Sequence, residues 1–241
     1  MKKDGRKIAA GVVYEAQMTR LFERAGVDLL SVGDSLSRAY LAYDDPSASY
    51  TGDEMLVFTG GVVRAATHAA VNADLPDSVT AAGADEVNRI AGRLKDLGVE
   101  MTKVDIRGKE EALVGLIQPV IDAGIAAYPQ IGFEYVADGE LHGTPEDLEK
   151  TLKWAHAVED AGAAMIDLTM VTAEIYEAVT RAMSIPVIGG QSGPEADGKI
   201  YVGASITGYQ SQLLDRADAP PNAATFMYSI VEKAVAETHS W

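Results

Sequence analysis

Alternation of two kinds of segment is the feature that most limits how this chain folds. Short β-rich runs alternate with longer segments of helical periodicity, and no Pro/Ser-rich linker or low-complexity block separates them. Gly26, Gly98, Gly124 and Gly162 each stand between a helical pattern and the next β-rich run, a position at which glycine commonly ends a helix. These repeated junctions indicate parallel strands joined by helices, and eight such strands favour a closed barrel. We therefore expect an α/β fold, a (β/α)8 TIM barrel, with one domain over residues 1–241.

Strand and helix boundaries follow from the same periodicity. Strands are predicted at residues 7–14, 28–32, 69–73, 101–106, 126–131, 165–170, 186–189 and 199–203. Helices are predicted at 15–25, 52–67, 84–97, 109–122, 145–160, 173–182 and 222–238. An open doubly wound sheet is the alternative fold, but no Gly-x-Gly-x-x-Gly follows the first strand.

Charge and composition exclude several classes of function. The chain has 36 Asp plus Glu against 20 Lys plus Arg, a formal charge of −16, which disfavours nucleic acid as a partner. It has no cysteine, so disulfides and thiolate metal sites are excluded. No apolar run approaches the roughly 20 residues that span a bilayer, and the first seven residues lack the apolar region of a signal peptide. We expect a cytoplasmic protein that binds no membrane.

Acidic side chains follow three successive predicted strands. Asp34 comes after the second strand, Asp74 after the third and Asp105 at the end of the fourth. Carboxylates brought to one rim repel one another unless a cation neutralises them, and Mg²⁺ prefers oxygen ligands. Lys103 alternates with Asp105 and can point to the same inward face, where it could hold a substrate carboxylate. The alternative is that these acids cap helices or form ion pairs.

Three stretches carry a resemblance to a known family. Residues 25–36, which contain Val-Gly-Asp-Ser-Leu, residues 73–76 and residues 184–194, which contain Ile-Pro-Val-Ile-Gly, resemble ketopantoate hydroxymethyltransferase. The match is ordered from residue 7 to about residue 202 and fades beyond. That family belongs to the phosphoenolpyruvate mutase and isocitrate lyase superfamily, whose barrels handle metal-bound 2-oxo acids.

The resemblance implies a site and a reaction. Asp34 and Asp74 match the family's Mg²⁺ ligands, Asp105 stands where the family has a metal-proximal Glu, and Ser35 and Lys103 match groups that bind the 2-oxo acid. The family's reaction, a step of pantothenate biosynthesis, removes a proton from carbon 3 of ketoisovalerate. The enolate then adds to the one-carbon unit of methylenetetrahydrofolate and gives ketopantoate. Family members assemble into rings, so a homo-oligomer is expected.

Departures from the family's pattern concern the catalytic base. Thr169 stands where the family has a catalytic Glu on the sixth strand, and Asp167 lies two residues earlier on the same face. On the fifth strand the family's Gly-His becomes Pro129-Gln130, which places Gln130 among the substrate-binding candidates, and Glu134 enters the following loop. Asp167, Thr169 and Glu134 are therefore the candidate catalytic residues. Two other functions stay open: a folate-independent lyase or hydrolase of the superfamily, and a barrel that binds ligand without turnover.

Overall fold

The barrel prediction is confirmed by eight parallel strands. The computed structural model describes residues 2–43, 50–135, 139–216, 218 and 220–240. The strands are β1 (Ile8–Val12), β2 (Leu29–Val32), β3 (Ala70–Asp74), β4 (Met101–Asp105), β5 (Ala126–Gly132), β6 (Ile166–Thr169), β7 (Val187–Ile188) and β8 (Gly198–Val202). They form one sheet in the order β7-β6-β5-β4-β3-β2-β1-β8. The backbone N–H of Asp197 donates to Val187 and that of Ile200 donates to Gly189, which brings β8 back to β7 and nearly closes the barrel.

Helices separate most of the strands. They are α1 (Ala16–Ala25), α2 (Leu36–Ala39), α3 (Gly52–Ala65), α4 (Asp77–Ala82), α5 (Ala84–Leu97), α6 (Glu110–Leu113), α7 (Ile117–Asp122), α8 (Pro145–Asp160), α9 (Ala173–Ala182), α10 (Gly203–Thr207) and α11 (Ala223–His239). Short 3₁₀ turns lie at Lys2–Asp4, Val114–Leu116 and Ser211–Asp215. Among the residues described, no helix is long and apolar enough to span a membrane.

The predicted helix at 109–122 is two short helices instead of one. α6 and α7 are joined by the 3₁₀ turn Val114–Leu116. Pro119 has no N–H to donate to the carbonyl of Gly115, and glycine itself weakens a helix interior, so the regular α-helical hydrogen-bond ladder is broken here. The junction glycines behave as expected, because Gly26, Gly98, Gly124 and Gly162 all have positive φ.

Strand alternation divides the barrel interior into layers. Side chains of Ile8, Ala10, Leu29, Tyr128, Met165 and Ile188 form a buried cluster of their own, separate from the larger core that includes helix side chains. Leu29 and Ser31 face the same way on β2, as do Met165 and Asp167 on β6, because side chains two residues apart share a face. An apolar layer therefore forms the floor beneath polar side chains that lie nearer the carboxyl ends of the strands.

The chain separates into two compact units, at Met1–Ile200 and Tyr201–Trp241. The first contains seven strands and the beginning of β8. The second, taken by itself, contains α10, the Ser211–Asp215 turn and α11, and no residue of α11 is buried. A single domain over residues 1–241 stays a prediction.

Candidate active site

A buried lysine between two aspartates lies at the centre of the polar layer. The Lys103 Nζ lies 2.9 Å from Asp74 Oδ2 and 3.0 Å from Asp167 Oδ2. Asp74 is the strand partner of Lys103 on β3, whereas Asp167 is on β6, so the lysine reaches across the barrel interior past β5. The relative exposures of Asp74, Lys103 and Asp167 are 4%, 7% and 2%.

Burial and ion pairing act against each other in this group. Burial by itself would lower the pKa of Lys103, but the charges of Asp74 and Asp167 raise that pKa instead, so the ammonium stays protonated. Burial raises the pKa of Asp167 to about 6, although Lys103 opposes the shift. Burial likewise raises the pKa of Asp74, with Lys103 opposing. The three groups carry one positive and up to two negative charges.

Asp74 is fixed by several donors. Its Oδ1 accepts hydrogen bonds from Ser31 Oγ at 3.1 Å and Asn72 Nδ2 at 2.8 Å. Its Oδ2 accepts the backbone N–H of Asp34 at 3.3 Å. Gly33 lets the end of β2 lie close to β1, because a Cβ there would lie 2.8 Å from a Val12 methyl group, whereas at 3.6 Å it would make only an ordinary contact with Asp74 Oδ2. The end of β2 is thus held against the end of β3.

Asp167 has fewer donors than Asp74. Its Oδ2 accepts a hydrogen bond from Lys103, and its buried Oδ1 has no hydrogen-bond partner within the described part of the chain. The hydroxyl of Tyr128, also buried, is likewise unpartnered there, and Lys103 Nζ lies 5.8 Å from the Tyr128 ring centroid. A buried carboxylate with an unpaired oxygen is costly to keep ionised, which agrees with the raised pKa of Asp167.

The two other predicted metal ligands differ in their surroundings. Asp34 is exposed in the loop after β2. Asp105 is paired with Arg107, whose Nε donates to Oδ1 at 2.9 Å and to Oδ2 at 3.1 Å and whose Nη2 donates to Oδ2 at 2.5 Å. Within residues 2–43, 50–135, 139–216, 218 and 220–240, no three acidic or histidine side chains are already gathered as a ligand set.

Sequence comparison assigns the chain to a family. The model of the family described as ketopantoate hydroxymethyltransferase matches residues 1–235. The chain belongs to this family. The 3-methyl-2-oxobutanoate hydroxymethyltransferase of Leifsonia xyli subsp. xyli is 34% identical over 221 residues, covering 89% of this chain and 78% of that protein. That of Shouchella clausii is 32% identical over 222 residues, covering 88% and 77%. The family resemblance inferred from the motifs is confirmed, and with it an enzyme of the transferase class.

Solved structures share the barrel at low identity. The structure of 2,3-dimethylmalate lyase, a member of the phosphoenolpyruvate mutase and isocitrate lyase superfamily, matches with a TM-score of 0.67 at 15% identity and covers 98% of this chain and 92% of its own. Phosphonopyruvate hydrolase, solved with oxalate and Mg²⁺, matches with a TM-score of 0.68 at 15% identity, covering 97% and 94%. These similarities concern the fold.

The remaining predicted residues of the family site differ in depth. The Ser35 hydroxyl is hydrogen-bonded to the Tyr14 hydroxyl at the rim beside Asp34. Gln130 is buried on β5, where it pairs in register with Asp105 on one side and Asp167 on the other. Gln130 is therefore placed beside the buried ion group and Ser35 nearer the rim, and the role of both in holding substrate stays a prediction.

The three candidate bases are not equivalent. Asp167 belongs to the buried ion group, whereas Glu134 is exposed after β5. Thr169 is buried at the end of β6, and its hydroxyl donates weakly to the carbonyl of Ile131 at 3.4 Å. Gly132 permits the close approach of β5 and β6 at this point, since it has φ +114° and a Cβ would lie 2.2 Å from the Thr169 carbonyl oxygen. Of the three, Asp167 alone has both a carboxylate and a position among the described inward polar groups.

Sequence reasoning missed three residues of the site. Ser31 and Asn72 share the inward face with Asp74, because Ser31 pairs in register with Asn72 and Asn72 lies two positions before Asp74. Strand alternation could have identified them. Arg107 lies just beyond β4, and its pairing with Asp105 has no signal in the strand pattern.

Proposed function

We propose that this chain transfers a hydroxymethyl group to carbon 3 of a small 2-oxo acid, the ketoisovalerate of pantothenate biosynthesis or a close analogue. The observation that carries this proposal is the Asp74–Lys103–Asp167 group beside Asp34 at the carboxyl ends of the barrel strands, in a chain of the ketopantoate hydroxymethyltransferase family. A barrel of this type carries its chemistry at that end.

The donor set fits Mg²⁺. Asp34 has an exposed carboxylate, and its backbone N–H donates to Asp74 Oδ2, so the two acidic residues are neighbours at the barrel rim. Carboxylate oxygens are the ligands that Mg²⁺ prefers. Asp105 becomes a third ligand only by exchanging contacts with Arg107. When bound, Mg²⁺ supplies Lewis-acid chemistry, drawing electrons from the 2-oxo group so that the acidity of carbon 3 rises.

Asp167 is the base in this proposal. A carboxyl with a pKa of about 6 is mostly ionised at pH 7.5 and still basic enough to accept a proton, as efficient general bases are. Lys103 keeps its positive charge next to Asp167 and has one N–H not used by Asp74 or Asp167. That N–H can stabilise the negative oxygen formed when carbon 3 loses its proton.

Proton exchange tests the first half of the reaction. The wild-type protein with Mg²⁺ is expected to exchange the carbon 3 proton of ketoisovalerate for deuterium in D₂O, followed by NMR. Asp167→Asn should lower the exchange rate about 10²- to 10⁴-fold, the usual contribution of a general base. Glu134→Gln, which removes a carboxylate from the exposed loop, is the matched control and should retain exchange. If Glu134→Gln loses exchange and Asp167→Asn retains it, the assignment of the base is wrong.

Product analysis tests the second half. With methylenetetrahydrofolate as co-substrate, ketopantoate is expected, and its formation should require both folate and Mg²⁺. Turnover of a 2-oxo acid without folate would instead support the lyase or hydrolase alternative. Binding of Mg²⁺ and ketoisovalerate without any exchange would support the barrel that binds but does not react. No structural observation favours either alternative over the family's reaction.

The same proposal includes the setting of the enzyme. We place it in the cytoplasm, as a homo-oligomer whose partner is a small 2-oxo acid and not a nucleic acid or a membrane. The formal charge of −16 supports the exclusion of nucleic acid. Light scattering coupled to size-exclusion chromatography measures the subunit number, and a mass of 25.5 kDa at micromolar concentration would contradict the oligomer.

A further inference from the structure

Two cations at the barrel mouth are candidates for holding the carboxylate of a bound acid. Lys103 is the one that the family resemblance predicts. Its side chain is 8% exposed, and its ammonium already contacts the carboxylates of Asp74 and Asp167. An ammonium has three N–H donors, so at most one remains, and this single donor cannot form the paired contact that a carboxylate favours.

Arg107 is the second cation, and several of its N–H donors are unused. Its Nε and Nη2 donate hydrogen bonds to the Asp105 carboxylate. Within the part of the chain that the structure describes, Nη1 has no hydrogen-bond partner. A guanidinium has five N–H donors in a rigid plane. Three of these donors are therefore left, including both on Nη1.

The position of Arg107 places those donors at the mouth. The residue follows the carboxyl end of β4, and its side chain is 16% exposed. Burial would lower the pKa of Arg107, but Asp105 raises it, and the more distant charges of Asp34 and Asp167 act in the same direction. The guanidinium thus lies within electrostatic reach of Asp34 in the loop after β2, Asp105 on β4 and Asp167 on β6.

We propose that Arg107 binds a carboxylate of the 2-oxo acid, with Asp105 holding the guanidinium plane in place. This inference rests on the proposed function, because it concerns the acid bound at the same site. Asp105 occupies one edge of the guanidinium, which fixes its orientation in advance, and the Nη1 edge is left for a planar anion. The anion is either the carbon 1 carboxylate or a second acidic group at the far end of the substrate.

Kinetics with two matched acids test the proposal. 2-Oxopentanoate and 2-oxoglutarate have the same chain length and differ in a terminal methyl or carboxylate group. KM for carbon 3 exchange is measured for wild type, Arg107→Gln and Lys109→Gln, corrected for exchange without enzyme. Lys109 is exposed two residues further along the same loop, so its variant controls for the loss of one positive charge.

Arg107→Gln should raise KM about 10- to 100-fold, the loss expected for a charge-assisted hydrogen bond, with a smaller change in kcat. A rise for both acids assigns Arg107 to the carbon 1 carboxylate, and a rise for 2-oxoglutarate alone assigns it to a second acidic group. Lys109→Gln should stay within about twofold of wild type. The proposal is wrong if KM of Arg107→Gln stays within about twofold for both acids.

Binding of oxalate provides a readout that does not need turnover. Calorimetry in the presence of Mg²⁺ should show weaker oxalate binding to Arg107→Gln if the carbon 1 carboxylate is the partner, and 2-oxoglutarate replaces oxalate for the second assignment. If wild type does not exchange the carbon 3 proton of ketoisovalerate, the proposed function fails. The affinities for oxalate and 2-oxoglutarate decide the role of Arg107 separately, because equal affinities for wild type and variant overturn that role. Arg107→Lys keeps the positive charge but not the planar guanidinium edge, so its affinity for the acid should be intermediate. If circular dichroism shows that Arg107→Gln is unfolded, Arg107→Lys takes its place in these measurements.

Discussion

Replacing Lys103 by methionine is expected to destabilise the barrel strongly at neutral pH. Methionine preserves most of the side-chain volume, but it removes the ammonium that contacts Asp74 and Asp167, both nearly inaccessible to solvent. Removing one partner of a buried ion pair costs about 3–5 kcal/mol, because a charge is left uncompensated. For a domain of this size that loss corresponds to a fall in Tm of roughly 6–20 °C.

Asp167 accounts for most of that expected loss. Asp74 would keep its hydrogen bonds from Ser31, Asn72 and the Asp34 backbone. Asp167 would lose Lys103, the one hydrogen-bond donor described for it. Adding Asp167→Asn to Lys103→Met should therefore recover about 1 kcal/mol or more, since the second substitution removes the unpaired charge.

The pH dependence has a definite sign. In the native protein the pKa of Asp167 is raised to about 6 from 3.8. A carboxyl with a raised folded-state pKa contributes stability at low pH that is lost as the pH rises from about 4 through 6. Without Lys103 that pKa should be higher still. The free energy of unfolding that Lys103→Met loses relative to wild type should therefore be larger at pH 7.5 than at pH 5.

Urea unfolding followed by circular dichroism at pH 7.5 and pH 5 measures these differences. Lys153→Met is the matched control, because it removes a lysine from the exposed pair with Glu111, whose side chains are 69% and 75% exposed. Exposed pairs contribute only about 0–1 kcal/mol. If Lys103→Met loses less than about 1 kcal/mol of unfolding free energy at pH 7.5, no more than the control does, the stabilising role of the buried ion group is refuted.

Other predictions concern activity and a second carboxylate. The exchange rate should rise with pH through about 6 and level off above that value, and Asp167→Asn should remove this rise. A midpoint of the rise unrelated to the pKa of Asp167 would exclude Asp167 as the base. Asp34→Ala and Asp74→Ala should each abolish Mg²⁺-dependent exchange in a metal titration, and full activity in either would remove the proposed metal site. Glu23→Gln should lower the free energy of unfolding by about 1–3 kcal/mol at pH 7, because Glu23 accepts backbone N–H groups of residues 67–69. Burial opposes a low pKa, but these hydrogen bonds lower the pKa of Glu23 to about 2. The stability that Glu23 contributes is therefore present above pH 4.5 and is lost as the pH falls towards 2. Denaturation curves at pH 7 and pH 3 that show no difference between wild type and Glu23→Gln would contradict this prediction.

The strand pattern predicted the barrel because it depends on short-range rules. Each strand is a short β-rich run with a turn signal after it, and the carboxyl ends of parallel strands meet at one rim whatever the details of packing. The placement of Asp34, Asp74 and Lys103 near that rim follows from the same rules. Helix boundaries were less predictable where a proline and a glycine interrupt the pattern, as between α6 and α7.

The sequence by itself determined the order of strands, the inward face of Lys103 and Asp167, and the family, because alternation along a strand and local motifs need no knowledge of distant residues. Only the tertiary structure decided that Lys103 reaches across the barrel to Asp167 and that Arg107 grips Asp105. The physical reason is that a salt bridge forms where barrel curvature and side-chain length bring charges within about 3–4 Å. For Lys103 and Asp167 that distance is set by the closed sheet as a whole, whereas for Arg107 and Asp105, two residues apart, it is set by the path of the chain just beyond β4.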